Sequence, residues 1–515
     1  MKNIFILVFL LILGLFYYSV TLKGIPGNPV PADIKQNLSS ATKPLELSPE
    51  RGRFILTYSL AENKSFALSN ELGEAAAPDV GIHDGKYYIF FGPGISLLAL
   101  PFYLIGKNYN LSQVFSFSTI AFFATLNLLL IYLIAKNIIK IPGWAALLAS
   151  LIFGFGSTAW SYAVTLYQHQ VTTFFILSTF YAVWKYRQKQ KFSWMWAFYI
   201  WLVYGYSIYV DYPNILLLSP VMIYFFISSL ATFLNKLKII ISWQKSFLIT
   251  SIAFLALIIS HGYYNYVNFG DWKKLSGELK GYKTVQKEKD LKAKNQEEKI
   301  KELANKKSAT GFFKEEDAPR GIAILLFSRD RGLFLYAPIF ILALLGIYST
   351  RKKINLETET LLGLVGVNLF LYSSWGDPWG GWAYGPRYLI PSMAILSIFI
   401  GVWLEKTSNK IAAKLAAFFL FAYSSFIALL GALTTSQVPP KVEADFLKMK
   451  YNFLLNWDYF IDGKSSSFIF NEYASKYTDL QQYFLLIYLS ILLIVYILLF
   501  VVPLFEKSKN LTKSV

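Results

Sequence analysis

Long apolar runs recur along the whole chain and constrain its fold more than any other feature. A run of about 18 or more apolar residues is long enough for a helix to cross a bilayer. About twelve runs near this length can be marked, at roughly 1–18, 113–135, 145–163, 170–185, 193–210, 213–234, 246–268, 332–350, 360–375, 387–404, 411–434 and 480–505. Charged residues make up 16% of the chain, against about 25% in soluble domains. We therefore predict an all-α polytopic membrane protein with about twelve transmembrane helices.

Cysteine and histidine usage narrows the chemistry. The chain has no cysteine, which excludes disulfides, thiolate catalysis and cysteine-ligated metals. Its three histidines, His83, His169 and His261, lie far apart and show no metal-ligand spacing. The net charge of +18 lies mostly in short loops beside the apolar runs, which is typical of membrane topology. No cofactor is indicated, a divalent metal stays open, and nucleic acid is not an expected partner.

The loop charges predict an orientation. The run 95–105 is too short to cross and is predicted to be broken by Pro101, so we interpret it as a re-entrant or interfacial piece. With a cytoplasmic N-terminus, six basic loops or tails then fall inside, around residues 136–140, 185–191, 236–245, 351–353, 406–410 and 507–509. Both termini are therefore expected in the cytoplasm, with the protein in the plasma (inner) membrane. The motif-like stretches all fall on the outer face, which predicts one extracytoplasmic site.

The runs and loops divide the chain into segments. These are a first helix (1–22), a first outer loop with interfacial and re-entrant pieces (23–112), a bundle (113–268), a charged outer insertion (269–331), a second bundle (332–434) with a Trp/Gly-rich outer loop (373–388), another outer loop (435–479), and a last helix with a basic tail (480–515). Amphipathic spacing predicts an interfacial helix over 53–68. The Lys/Glu-rich stretch 287–307 is predicted to be a solvated helix or a disordered insertion.

The Trp/Gly-rich loop reads SSWGDPWGGWAYGPRY and is the most distinctive polar stretch. Its aromatic residues suit a membrane interface, and its Gly and Pro residues exclude a regular helix. An aromatic belt on an ordinary loop is one interpretation. The other is the rim of a site for an anionic, sugar-bearing or lipid ligand. Arg387 would then hold a phosphate, while Trp379, Trp382 and Tyr384 would stack on a sugar.

Three carboxylates of the first outer loop are candidate bases. Asp79 has no obvious local role, whereas Glu50 could cap the interfacial helix and Asp84 could serve an Asp-Gly turn. Asp377, which precedes a proline, is in a favourable turn position. Asp211 follows an apolar run at the outer face and joins the candidates for contact with a sugar or acceptor.

Two further candidate sites are formed by arginine and histidine side chains. Arg329 and Arg331 lie at the outer face against the positive-inside trend, so they need Asp330 or a bound anion as a partner. His169 lies between two glutamines at an outer helix end. A hydrogen-bonded structural histidine is the alternative there to a ligand contact.

A set of short stretches carries a resemblance to a known family. They are 53–62 (RFILTYSLAE), 84–88 (DGKYY), 92–94 (GPG) with Pro101, 211–213 (DYP), Asn265 with 269–270 (FG), 331–334 (RGLF) with Tyr336 and Pro338, 379–381 (WGG) and 385–388 (GPRY). In this order they resemble the C-superfamily membrane glycosyltransferases, which use polyprenyl-phosphate sugars, and especially relatives of the protein O-mannosyltransferases and aminoarabinose transferases. Phe90 and Phe91 stand where many relatives have an acid and a lysine.

The resemblance implies an inverting enzyme that moves a sugar from a lipid-linked donor, within membrane lipids, to an acceptor glycan, lipid or protein at the outer face. A first-loop carboxylate would accept the acceptor proton, with Asp79 as the first candidate. The implied assignment has candidate bases Asp79, Glu50 and Asp84, phosphate-binding residues Arg387, Arg329 and Arg331, and sugar- or acceptor-binding residues Trp379, Trp382, Tyr384, His169 and Asp211.

Two other functional classes stay open. A transporter or flippase of lipid-linked saccharides would also need an aromatic, Arg-bearing rim. It should in addition carry charges in mid-membrane or broken helices in corresponding halves, and neither pattern is evident in the sequence. A non-catalytic scaffold that binds a partner through 271–320 is the third reading.

Overall fold

Helices form nearly all the regular structure of the computed structural model, which describes residues 2–36, 42–189, 193–234, 240–282, 313, 315–352 and 354–503. The helices are α1 Lys2–Val20, α2 Pro31–Gln36, α3 Ser48–Tyr58, α4 Asn70–Ala76, α5 Gly94–Asn108, α6 Ser112–Asn137, α7 Gly143–Phe155, α8 His169–Arg187, α9 Trp194–Val210, α10 Asn214–Leu217, α11 Ser219–Leu234, α12 Ile240–Phe269, α13 Ala318–Phe327, α14 Leu333–Tyr336, α15 Ile341–Thr350, α16 Leu356–Ser373, α17 Ile390–Lys406, α18 Ile411–Leu433, α19 Lys441–Phe446, α20 Leu454–Ile461, α21 Phe468–Glu472 and α22 Leu480–Tyr496. The strands are β1 Val80–His83, β2 Lys86–Ile89 and β3 Lys280–Gly281. The prediction for 287–307 falls outside the described residues.

The all-α class is confirmed, with one small sheet added, which joins β1 and β2 of the predicted first outer loop to β3 of the predicted 269–331 insertion. Its strand order is β2-β1-β3, and both pairings are antiparallel. Asp84 and Gly85, at φ 47° and 76°, form the two-residue turn between β1 and β2, as Asp-Gly sequences favour. The predicted helix over 53–68 starts earlier, at Ser48. It also ends earlier, because a π-helical turn over Ser59–Asn63 is closed by Lys64 in the left-handed conformation.

The re-entrant run is a regular helix. We expected 95–105 to be broken by Pro101, but α5 continues through that proline. At 15 residues and about 1.5 Å per residue, α5 is about 22 Å long. That is shorter than the roughly 30 Å hydrocarbon core, so the expectation that it does not span by itself is retained. It packs against α3 and α6.

Four helical segments of the described residues are long and apolar enough to cross a membrane. They are Ser112–Asn137, Arg387–Lys406, Ile411–Leu433 and Leu480–Val501. The segment 387–406 is the most enclosed of these, because α17 packs against α6, α7, α8, α15 and α16. The count of about twelve spans stays a prediction.

Helix α7 ends sooner than its sequence predicts. The apolar run suggested a helix over 145–163, but α7 stops at Phe155 and Gly156 follows as its C-cap. The Ser157 hydroxyl then donates to the Phe153 carbonyl, at 2.6 Å, which satisfies a group that the helix end leaves free. The next ten residues are buried turns. Inside a membrane protein, irregular backbone is tolerated only where other parts of the protein surround it. These buried turns supply part of the site described below.

The bundle has a basic end and an end that carries the Trp/Gly-rich loop. Arg187 is the last residue of α8 and pairs with Glu357 in the first turn of α16, with Nη1 and Oε1 2.7 Å apart. The opposite ends of these two helices carry His169 and Tyr372, and Arg387 lies just before α17. At these two helices, the predicted inner and outer loops therefore lie at opposite ends. Which end faces the cytoplasm stays a prediction.

Single-cysteine labelling tests this orientation directly, because the native chain has no cysteine. We expect Tyr477→Cys to react with a membrane-impermeant maleimide on intact cells, since Tyr477 is 89% exposed and lies in a predicted outer loop. Lys189→Cys and Arg351→Cys should react only after permeabilisation. Labelling of Arg351→Cys in intact cells would refute the orientation and, with it, an extracytoplasmic site.

Candidate active site

The Trp/Gly-rich loop is held by a tight turn that positions Arg387. The Asp377 carboxylate accepts the Gly381 backbone N–H at 2.6 Å, so Asp377 serves the turn, as its place before a proline favours. Gly380 and Gly381 both have positive φ, at 70° and 61°, which suits glycine. Arg387 Nη2 donates to the Gly380 carbonyl at 2.7 Å. The turn therefore fixes one edge of the guanidinium group.

The other edge of the Arg387 guanidinium lies beside the Tyr388 side chain, with which it interacts, but it has no well-aligned hydrogen-bond acceptor in the described part of the chain. Its Nε and Nη1 atoms are buried and have no hydrogen-bond acceptor among the described residues. No carboxylate of the described chain lies within ion-pair distance of it. Its central carbon lies 5.3 Å from the ring centre of Tyr167 and 5.4 Å from that of Tyr388. A buried cation with free N–H groups is a strong binding site for an anion.

A second arginine, Arg53 of α3, approaches the same tyrosine. Its Nη1 donates to the Pro49 carbonyl at 3.1 Å and its Nη2 to Gln168 Oε1 at 2.8 Å, while Nε has no partner among the described residues. Its central carbon lies 4.3 Å from the Phe91 ring centre and 5.9 Å from that of Tyr167. The guanidinium groups of Arg53 and Arg387 therefore both lie near the ring of Tyr167.

Like charges held this close need a counter-charge. The pKa of Arg53 is lowered to about 10, chiefly by burial and in smaller part by the nearby Arg387, while Asp211 opposes the change. Asp211 is linked to Arg53 through Gln168, whose Nε2 donates to Asp211 Oδ2 at 3.2 Å. The enclosed position of Asp211 raises the pKa of its own carboxyl. One partly enclosed carboxylate therefore faces two arginines, and the site retains positive charge.

His169 and several tyrosines complete the site. The His169 ring lies 5.6 to 6.1 Å from the ring centres of Tyr162, Tyr167 and Tyr388. Its Nε2 and the Tyr167 hydroxyl have no hydrogen-bond partner among the described residues. Tyr372 stacks on Tyr388 with ring centres 4.2 Å apart. Below, the Tyr167 cluster means Arg53, Tyr167, His169, Asp211 and Arg387.

Glu50 lies three residues before Arg53 and is fully buried. One carboxylate oxygen accepts the Leu47 N–H at 3.2 Å, as a helix cap does, and the other accepts the Thr165 hydroxyl. Burial raises the pKa of Glu50 to about 7, with Lys23 lowering it and Glu46 raising it. A carboxyl group with a pKa near neutrality can take up or release a proton under working conditions.

The other two candidate bases lie in different surroundings. Asp79 is half-buried after α4 and accepts the Ser48 hydroxyl at 2.5 Å. Its charge acts on Arg51 and Arg53. Asp84 lies at the hairpin tip with its side chain 86% exposed, 3.4 Å from the His83 ring nitrogen. The structure brings Asp79 near Arg53 and leaves Asp84 in solvent.

The two arginines expected to assist Arg387 are engaged elsewhere. Arg331 is buried and donates to the carbonyls of Trp379, Asp330, Gly381 and Val438, at 2.8 to 3.1 Å. It therefore clamps the Trp/Gly-rich loop to the outer loop near 438. Arg329 is half-exposed and forms an ion pair with Asp445. Among the described contacts, Arg331 is therefore occupied by backbone carbonyls and Arg329 by Asp445.

The three aromatic residues predicted to contact a sugar also lie in different surroundings. Tyr384 is fully buried, and its hydroxyl donates to the Ile427 carbonyl at 2.6 Å, so it anchors the loop in the core. Trp379 is partly buried with Arg320 over its ring, 5.4 Å from the centre. Trp382 is 39% exposed and is the one of the three open to a passing sugar ring.

Sequence reasoning missed Arg53, Tyr167 and Gln168 as site residues. Arg53 was visible as an arginine on the predicted outer face, three residues after Glu50 and therefore on the same helical face. Arg329 has the same feature, because it is also an arginine on the predicted outer face. Tyr167 and Gln168 gave no such signal, because they lie in a stretch that reads as the end of an apolar run. Among the described residues, no three His, Asp or Glu side chains are grouped as metal ligands would be.

Comparison with known proteins found solved structures that are similar to this chain. No protein-family model and no curated protein matches the sequence. The structure of ArnT from Cupriavidus metallidurans bound to undecaprenyl phosphate is similar, at 12% identity and TM-score 0.49, over 95% of this chain and 76% of that one. The archaeal oligosaccharyltransferase AglB from Archaeoglobus fulgidus, with an inhibitory peptide and a dolichol-phosphate, is similar at 13% identity and TM-score 0.46, over 88% of this chain and 59% of that one. At this degree of likeness, substrate and reaction are questions for the residues of the site.

Proposed function

We propose that this chain is a membrane glycosyltransferase that moves a sugar from a polyprenyl-phosphate donor to an acceptor at the extracytoplasmic face. The observation that carries the proposal is the pair Arg53 and Arg387, buried against Tyr167 with unused N–H groups and no ion-pair partner among the described residues. A phosphate ester supplies the negative charge that such a pair lacks. Surrounding helices long enough to span a membrane suit a donor with a lipid tail.

The reaction needs charge stabilisation on one side of the sugar and proton removal on the other. The bond between the sugar and the phosphate oxygen breaks, and the phosphate keeps the electron pair. Arg53 and Arg387 stabilise that charge, which is worth most in an enclosed site. The acceptor oxygen forms the new bond to the sugar from the opposite side, so the configuration inverts.

The acceptor must lose a proton, and we assign Glu50 to receive it ahead of Asp79. Glu50 has a pKa of about 7, raised chiefly by burial, which suits general base catalysis near neutral pH. Its contact with Thr165 gives the proton a path through that hydroxyl, two residues before Tyr167. Asp79, which accepts from Ser48, is the alternative base. Asp84 ranks third, because its carboxylate is in solvent.

The purified protein with polyprenyl-phosphate hexoses and a panel of acceptors tests this function. We expect release of polyprenyl phosphate that depends on the acceptor and matches the amount of glycosylated product. A flippase would move the donor across a proteoliposome membrane without releasing polyprenyl phosphate. Transbilayer movement with no release, for any donor and acceptor, would replace the proposal by the flippase reading.

A further inference from the structure

Helix α12 carries a second group of buried polar atoms outside the Tyr167 cluster. His261 and Asn265 are four residues apart and so lie on one helical face. His261 is 6% exposed, and neither of its ring nitrogens has a hydrogen-bond partner among the described residues. Asn265 is 2% exposed; its Nδ2 donates to the Trp272 carbonyl at 3.2 Å, whereas its Oδ1 has no partner among those residues.

Three unpaired polar atoms in one buried place require an explanation. A neutral imidazole has one N–H donor and one acceptor nitrogen. A buried polar group left unpaired is destabilising, so native proteins retain few of them without a functional reason. The side chains of His261 and Asn265 together offer one donor and two acceptors. One hydroxyl group can pair with the donor and one acceptor, and a second hydroxyl of the same sugar or polyol can donate to the remaining acceptor.

Aromatic rings surround these atoms. The His261 ring centre lies 4.7 Å from that of Tyr209, 5.8 Å from that of Tyr212 and 5.9 Å from that of Tyr264. The Tyr209 hydroxyl is already bonded to the Leu257 carbonyl. The Tyr212 hydroxyl lies 3.4 Å from Ser276 Oγ. The rings therefore present mainly their apolar surfaces. Neutral polar groups among aromatic rings suit a sugar or polyol, which has hydroxyl edges and apolar C–H faces.

The group formed by His261 and Asn265 adjoins the Tyr167 cluster through the loop after α9. Tyr212, which faces His261, directly follows Asp211, which is linked through Gln168 to Arg53. We propose that His261 and Asn265 form a hydroxyl-binding subsite for a sugar or polyol group of the acceptor. Its assignment to the acceptor rests on the proposed glycosyltransferase function, whereas the binding of a neutral saccharide does not.

Thermal unfolding of the detergent-solubilised full chain tests the subsite without any catalysis. The variants are His261→Phe and Asn265→Leu, and the control is His83→Phe, because His83 is partly exposed and contacts Asp84. The probes are the methyl glycosides of glucose, galactose, mannose and N-acetylglucosamine at equal millimolar concentration. Excluded sugars stabilise proteins in general, so the informative quantity is the difference in Tm shift between wild type and variant.

Without a probe, we expect the Tm of His261→Phe to equal or exceed that of wild type, because the unpaired nitrogens are removed. With at least one probe, we expect a larger shift for wild type and His83→Phe than for His261→Phe and Asn265→Leu. A lower Tm of His261→Phe without probe, or equal shifts in all four proteins, would overturn the subsite.

Transfer kinetics separate this proposal from the function it rests on. If the chain is a transferase, His261→Phe should raise the acceptor KM by about tenfold, corresponding to one lost hydrogen-bonded contact of about 1.4 kcal/mol, with the donor KM unchanged. An unchanged acceptor KM in an active enzyme would refute the acceptor assignment. A probe-specific Tm difference in a protein that never releases polyprenyl phosphate would retain the saccharide site and reject the transferase.

Discussion

Arg387→Ala is expected to lower the efficiency of donor use by about 10²–10³-fold, the usual range for loss of one charge-stabilising group in an enclosed site. Arg387→Lys should recover part of this loss, because Lys retains the charge but not the planar fork that binds two phosphate oxygens. The donor KM and kcat in the transfer assay measure both effects. The acceptor KM should stay close to wild type.

Arg329→Ala is the matched control for this prediction. Arg329 also lies in a predicted outer loop, but it is half-exposed and paired with Asp445, so its loss should leave donor use within about twofold. This control also decides whether Arg329 assists with the phosphate, as the sequence suggested. Equal losses in Arg387→Lys and Arg329→Ala, or wild-type donor kinetics in Arg387→Lys, would remove Arg387 from the phosphate site.

Glu50→Gln is expected to lower turnover by about 10²–10⁴-fold while the donor still binds, since general base catalysis is typically worth that much. For the wild type, turnover should rise with pH through about 7, the pKa of Glu50, as the carboxyl becomes able to accept a proton. The remaining activity of Glu50→Gln should lack that rise. Asp79→Asn and Asp84→Asn provide the comparison, and a dead Asp79→Asn beside an active Glu50→Gln would make Asp79 the base.

Stability against pH separates a base from a purely structural cap. The pKa of Glu50 is raised from 4.5 to about 7 in the fold, so the folded chain holds a proton that the unfolded chain releases across that window. This contribution to stability is therefore present below pH 4.5 and is lost as pH rises towards 7. Glu50→Gln cannot ionise, so its Tm should exceed that of wild type at pH 8 and approach it at pH 5. A lower Tm of Glu50→Gln at pH 8 would indicate that the carboxylate is mainly a structural cap.

The membrane class and the place of Arg387 in a non-helical loop could be predicted from sequence because each has a local signature. Long apolar runs define the class, and the Gly-Pro-Arg end of the Trp/Gly-rich loop marks an arginine in non-helical backbone. The Asp84-Gly85 turn was predictable for the same reason. These features depend on neighbouring residues, which the sequence shows directly.

The site as a whole depends on approaches that no local pattern encodes. Arg53 and Arg387 are far apart in the chain, and they meet only because α7 stops at Phe155 and the next turns carry Tyr167 between them. The contacts of Arg331 could not be predicted from the sequence for a related reason. Its partners are backbone carbonyls, and every residue supplies one, so side-chain identity could not reveal them.

Direct binding of the lipid phosphate tests the central claim, namely that Arg53 and Arg387 form a phosphate site. The measurement compares the affinities of a short-chain polyprenyl phosphate and the matching polyprenol for wild type and for the double variant Arg53→Met/Arg387→Met. We predict that wild type binds the phosphate at least about tenfold more tightly than the alcohol, since hydrogen bonds to charged groups contribute about 1.5–3 kcal/mol. The double variant should bind both lipids alike. A wild type that does not distinguish them, or a double variant that retains the preference, would contradict the account.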